Sequence, residues 1–258
     1  MKRTMNTTNT KYTKSPIVET IFSIDCDMKK DFDLIKIEDK AKNTFINSYP
    51  IFQKKYAQEH KIEINTSKEN ISQPTIRNFI QGFQFLKEDK KQLIQLLSQG
   101  FSFNKLAPYT TLDDYISIIQ EAWMQFVNVV EPIKIRTIHL RYVNKIMLPF
   151  ENEKVDLDEY FNYGPKLHDE NNFGLITFFS KYNMIEKSSN NQANIIFANQ
   201  NPTDDKHLPV ILDIDTISYS SPESNDWENI MIKLTELRTL AYNIFDKQIT
   251  KECKCLFQ

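Results

Sequence analysis

The chain has 258 residues, with 32 Lys and Arg against 34 Asp and Glu, a formal net charge of −2; this near balance lacks the basic excess of a dedicated duplex-DNA binder. With 40% apolar and 26% charged residues, 18 Phe and 11 Tyr, it has the material for a large packed core rather than a disordered coil. Only four glycines occur, Gly82, Gly100, Gly164 and Gly174, where average usage of about 7% would give roughly 18, and so few exclude the dinucleotide fingerprint, the P-loop and the kinase Gly-rich loop.

Residues 1–15 read as a flexible polar tail carrying Lys2, Arg3, Lys11 and Lys14. Pro16 to Asp25 is a strand, with Phe22 and Ile24 on one face. Asp33 to Ser48 is a helix with Leu34, Ile37, Ala41 and Phe45 at helical spacing, and Tyr49-Pro50 ends it. Ile51 to Asn65 is a strand in which Ile62 and Ile64 alternate. Ile76 to Lys87 and Lys91 to Lys105 form an antiparallel pair around a turn at 87–90. Phe79, Phe83 and Phe85 are expected to face one way in the first of these, and Leu93, Leu97, Phe101 and Phe103 in the second.

The strongest helix follows. Thr110 or Thr111 caps it, Asp113 and Asp114 sit in its positive first turn, and Leu112, Ile119, Trp123, Phe126 and Val130 mark its stripe up to Pro132. Ile133 to Leu148 is a long strand with Ile138, Leu140, Tyr142, Ile146 and Leu148 inward. Asp156 to Phe161 is a short helix. Phe173 to Met184, Asn194 to Ala198 and Leu208 to Tyr219 are strands, and a loop at 220–225 leads into a helix from Asp226 to Gln248. Ile249 to Phe257 reads as a final edge strand.

An offset of 115 lays Leu112 on Trp227, Ile116 on Met231, Ile119 on Leu234 and Pro50 on Pro165, and one residue more lays Pro16 on Pro132. The expected fold class is therefore α+β with an internal duplication. Two similar halves, 16–131 and 132–258, each form an antiparallel sheet (strand, helix, three strands) backed by a long amphipathic helix and related by a pseudo-twofold axis. Cys26, Cys253 and Cys255 are too few for a disulfide framework, no apolar run approaches the ~18 residues of a membrane span, and no apolar stretch follows Met1-Lys2-Arg3. The expectation is a cytoplasmic protein with no membrane contact.

Several segments carry a resemblance. They are Ser15 to Phe22, Leu106-Ala107-Pro108-Tyr109, Leu140-Arg141-Tyr142-Val143-Asn144-Lys145-Ile146, Leu212-Asp213-Ile214-Asp215, and Phe245 with Ile249-Thr250. Together they resemble a sporadically distributed family of bacterial and archaeal proteins, about 250 residues long and of uncharacterised function. Arg238 stands where members of that family often have His. The resemblance implies no particular activity. Patchy occurrence is associated with mobile and defence genes.

The chemistry-bearing residues are few. Asp213 and Asp215 share a strand face about 7 Å apart, which reads first as the solvent face of a half-buried strand, with a metal-dependent hydrolase as the remote alternative. His139, Arg141, Val143 and Lys145 form a cationic face of the long strand, while Asn144 turns inward with Tyr142. The four histidines, His60, His139, His168 and His207, have no zinc-ligand spacing, and Cys253 and Cys255, on one side of the expected edge strand, do not make a zinc site alone. No cofactor and no metal are expected. The reading is a non-enzymatic macromolecule-binding protein, a regulatory or antitoxin-like component of a mobile or defence locus. Its order of elements is similar to that of SecB-like chaperone subunits, whose aromatic grooves take unfolded segments. His139, Arg141, Asn144 and Lys145 are the binding residues and a protein is the partner, with RNA binding or processing as the alternative. The oligomeric state is left open.

Overall fold

The computed structural model describes residues 12–61, 75–166, 174–219, 222–223 and 226–258. Lys2, Arg3, Lys11, Ile62, Ile64, His168, Phe173, most of the 220–225 loop and the side chain of His60 lie outside the described residues.

Nine strands build one sheet. They are β1 (Ile17–Asp27), β2 (Ile51–Lys61), β3 (Thr75–Leu86), β4 (Gln92–Leu97), β5 (Gly100–Leu106), β6 (Lys134–Pro149), β7 (Phe179–Ile185), β8 (Gln192–Asn199) and β9 (His207–Ser218). Their spatial order is β2-β3-β4-β5-β1-β6-β9-β8-β7, and every neighbouring pair is antiparallel. The helices are α1 (Glu38–Phe45), α2 (Ile116–Val130), α3 (Leu157–Tyr160), α4 (Trp227–Gln248) and α5 (Lys251–Cys255). No helix among the described residues is long and apolar enough to cross a membrane.

This architecture corrects the expected pair of helix-backed halves. β1 and β6 pair from Ile17↔Asn144 to Asp27↔Lys134 and fuse what would have been two sheets into one. Pairing removes two long inner edges whose backbone groups would otherwise need partners. The core is shared across the same junction, because Ile230, Leu234 and Leu237 of α4 pack in one cluster with Trp123 and Phe126 of α2 and Phe22 of β1. Two helices matched in phase are weak grounds for separate units, since any amphipathic helix repeats every 3.6 residues.

Local signals account for most elements. Thr111 and Asp114 form a reciprocal capping box ahead of α2, Asp226 caps α4 by accepting from the Asn229 N–H, and Asp156 caps α3. The expected single strand Lys91–Lys105 is instead the β4–β5 hairpin, broken at Ser98-Gln99. Register then sets the faces. Ile94 and Leu96 lie opposite Phe103 and Phe101 in the core, whereas Leu93 lies opposite the polar Asn104. Phe79 is 48% exposed rather than aligned with buried Phe83 and Phe85, because a bulge between Ile80 and Gly82 reverses the alternation. The expected edge strand Ile249–Phe257 contains the helix α5, N-capped by Thr250. Cys253 is consequently buried and Cys255 exposed, not side by side on one strand face.

Candidate functional site

β6 presents both of its faces to chemistry. On the face away from the helices stand His139, Arg141, Val143 and Lys145, as the alternation predicts. This face is not a free cationic patch. Arg141 grips Asp213 of β9 through Nε to Oδ1 at 2.8 Å and Nη2 to Oδ2 at 2.5 Å. The register places Arg141 opposite Asp215 and Val143 opposite Asp213, so the guanidinium reaches diagonally across the strand pair. The Asp213 side chain is only 8% exposed, whereas that of Arg141 is 41% exposed.

His139 lies between two carboxylates: Nδ1 is 3.3 Å from Asp215 Oδ1, and Nε2 is 3.7 Å from Asp25 Oδ2. Nε2 also meets Thr137 Oγ1 at 3.1 Å, and that hydroxyl donates to Asp25 at 3.0 Å. Burial alone would lower the imidazole pKa, but the bonds to Asp215 and Asp25 outweigh it and push it up to about 9. The same pairing with His139 holds the Asp25 carboxyl below its ordinary value. The polar row continues across the sheet. Asn104 donates to Glu19 at 2.8 Å, Ser102 donates to Asn104, Gln95 donates to Ser102, and Gln84 donates to Gln95. Among the described residues Lys145 makes no ion pair.

Removing the Arg141 side chain leaves the Asp213 carboxylate buried beside β6 without its bidentate partner. Arg141→Ala is therefore expected to cost about 1–2 kcal/mol, below the 3–5 of a fully buried pair because solvent screens the guanidinium. Urea unfolding measures this. A midpoint unchanged from the parent would show that the pair contributes no stability and that Arg141 is a solvated residue.

The helix-side face of β6 lines the larger feature. Tyr142 and Asn144 form the floor of a cleft of about 670 Å3, walled by Tyr109, Thr110, Thr111 and Asp113 on one side and by Arg238, Tyr242 and Phe245 of α4 on the other. Tyr12, Thr13, Ser15, Pro16 and Ile17 close its end. Tyr12 packs edge-on against Phe257 at 5.2 Å, and the Lys14 N–H donates to the Phe257 carbonyl at 2.9 Å, so the start of the described chain is pinned beside its last helix.

Arg238 and Asp113 join the two long cleft walls through two hydrogen bonds of 2.7 and 3.0 Å. They cancel one another's charge. Tyr109 stands edge-on to Tyr142 with ring centres 6.1 Å apart. Burial pushes the Tyr142 hydroxyl up to about 12 and raises that of Tyr109, so both stay protonated at neutral pH. Asn144 is buried and donates to the Leu212 carbonyl at 2.9 Å.

No family model and no curated protein matches the chain.

Of the residues singled out as binding, His139, Arg141 and Lys145 share the helix-free face and Asn144 lies on the cleft floor beneath the other face. The structure does not bring the four together. The alternation along β6 misses Tyr109, Asp113, Tyr142 and Arg238, because Tyr142 reads as core and Asp113 as a helix-start residue. Ile17, Tyr109, Tyr142, Asn144, Ile214 and Phe245, from five separate stretches of the chain, all line the cleft.

Proposed function

We propose that this protein is a recognition protein that takes an uncharged, extended segment of a protein partner into the cleft between β6 and α4. One observation carries the reading: four tyrosines, Tyr12, Tyr109, Tyr142 and Tyr242, line a cleft whose charged lining residues among those described, Arg238 and Asp113, are paired with each other. Aromatic rings that carry hydroxyls supply apolar contact area and hydrogen bonds at low entropy cost. A peptide has the matching alternation of apolar side chains and polar backbone groups. The charge arrangement favours a protein segment over RNA, since Arg141, His139 and Arg238 are each held by a carboxylate and phosphate recognition needs cations free to release counterions. A role as a regulatory component of a mobile or defence locus is compatible with this reading.

Fluorescence anisotropy against a panel of labelled peptides and RNA oligonucleotides tests it. Uncharged, aromatic-containing peptides are expected to bind with an affinity that changes little from about 50 to 500 mM salt. Tyr242→Ala, on the half-buried wall of the cleft, is expected to weaken that binding about tenfold, or ~1.4 kcal/mol, with an unchanged circular dichroism spectrum. Binding confined to RNA with a steep salt slope, or unaffected by Tyr242→Ala, would sink the reading.

A further inference from the structure

A nine-stranded open sheet has two edges, and this one treats them differently. The β2 edge carries Lys54 and Lys55 and is interrupted by a register shift at Lys55/Tyr56. Charge and bulges are the usual guards against edge-to-edge pairing. β7, at the opposite edge, has neither guard in strength. It pairs with β8 through seven consecutive residues without a shift, and no described strand lies on its outer side. Its one charged residue is Lys181.

The same edge concentrates the exposed apolar surface. Phe179, Tyr182, Met184 and Ile185 of β7 are 45–69% exposed, and Leu175 and Ile176, just before it, are 39% and 90% exposed. Residues 176 to 178 are tied to the end of β8 just ahead of β7, since the Phe178 N–H donates to Asn199 Oδ1 at 2.7 Å and Asn199 Nδ2 donates to the Ile176 carbonyl at 3.1 Å. Phe179 and Ile185 lie on the helix-free face, and Tyr182 and Met184 on the other. At roughly 200 Å2 for a fully exposed large side chain, these six residues leave about 700 Å2 uncovered per copy. Two copies meeting here offer at most about 1,400 Å2, within the range that a stable interface buries.

We propose that β7 is a self-association edge, at which two copies of the chain pair their β7 strands antiparallel about a dyad at Tyr182 and join two sheets into one. The sequence of the strand selects both the partner and the register. A twofold interface must be self-complementary, and FSKYNMI is so when Tyr182 faces its own copy. Phe179 then lies opposite Ile185, Ser180 opposite Met184, and Lys181 opposite the neutral Asn183. Moving the dyad to Lys181 sets two ammonium groups against each other, and moving it to Asn183 sets Lys181 against Ile185. Of these three registers only that at Tyr182 both pairs Phe179 with Ile185 and sets Lys181 against a neutral polar side chain. This surface lies apart from the cleft and does not depend on how the cleft is read.

Sedimentation equilibrium of the full chain tests the proposal. The wild type is expected at twice the 30.5 kDa chain mass. Tyr182→Lys and Tyr182→Glu are each expected to sediment as monomers with unchanged circular dichroism spectra, because Tyr182 is an exposed edge residue. Mixed one to one, the two variants are expected to dimerise again, as opposite charges then face across the dyad. In a Cys255→Ser background, which removes the exposed native thiol, Tyr182→Cys is expected to form a disulfide-linked dimer on mild oxidation, since directly opposed Cβ atoms sit about 5 Å apart. A wild type that stays monomeric up to about 100 μM, a Tyr182→Lys protein that remains dimeric, or a charge-swapped mixture that stays monomeric would overturn it.

Discussion

Replacement of Gly100 by alanine is expected to cost the fold several kcal/mol. Gly100 opens β5 and lies opposite Asp25 of β1. A Cβ built there would stand 2.1 Å from the Ile24 carbonyl oxygen and 3.0 Å from Asp25 Cα. The neighbour is backbone, so no rotamer change relieves the contact. β1 and β5 would have to separate where the Cys26 N–H donates to the Gln99 carbonyl at 2.8 Å. Because β1 also carries β6, the strain falls on the centre of the sheet. A loss of about 3–5 kcal/mol belongs to the upper range of single substitutions and consumes much of a typical total stability of about 5–15 kcal/mol. Gly164→Ala is the control, since nothing lies within 4 Å of its added Cβ, and it is expected to stay within about 0.5 kcal/mol of the parent. Equal denaturation midpoints for the two variants would show that β1 and β5 do not approach so closely.

What the sequence discloses and what it hides divide along physical lines. α2 and α4 are legible because a cap and a long apolar stripe are local signals, and β1 and β6 because their alternation runs unbroken over many residues. The bulge at Gln81 and the turn at Ser98-Gln99 are each followed by a glycine, Gly82 and Gly100, but an isolated glycine inside an apolar run marks a bulge, a turn or a close backbone approach alike, and the run alone does not choose among them. One bulge is enough to send Phe79 to the wrong face. The joining of β1 to β6 is a long-range pairing over more than a hundred residues, and no local pattern distinguishes one sheet from two. The same holds for the site. The alternation along β6 correctly separates Arg141 from Asn144, and Asp213 and Asp215 do share one face. That Arg141 lies on Asp213, and Arg238 on Asp113, follows only from register and helix placement. Tyr142 escapes notice because a tyrosine on an apolar strand face looks the same whether it meets core or cleft.

Stability is expected to decline as pH rises from about 6 to 8, and His139 is the group responsible. Its pKa is about 9 in the folded chain against about 6.5 when unfolded. A raised folded pKa means that the native state holds the proton more tightly, so the stabilisation is fully present below pH ~6.5 and is lost as pH passes through about 9. Asp25, whose pKa is lowered by the same pairing, works in the opposite direction: its contribution is present above about pH 4 and is lost under acid conditions. A shift of this size corresponds to about 3 kcal/mol as an upper bound, and partial exposure of Asp25 and Asp215 reduces it to about 1–2. Burial pushes the Cys26 and Cys253 thiols up to about 12, and by the same linkage their contribution declines from about pH 8.5 upward, so the His139 effect is isolated below that pH. Urea midpoints measured at about pH 6 and pH 8 are expected to differ in the wild type, and His139→Gln is expected to remove most of that difference. A variant that keeps the full alkaline loss would place its origin elsewhere. The consequence reaches the cleft, because His139 fastens β1 and β9 to β6 from the back of the sheet. Ile17, Tyr142 and Ile214 of those same three strands project from the front into the cleft wall and floor. Loosening the carboxylate–imidazole clamp at alkaline pH is therefore expected to weaken peptide binding in the wild type and not in His139→Gln.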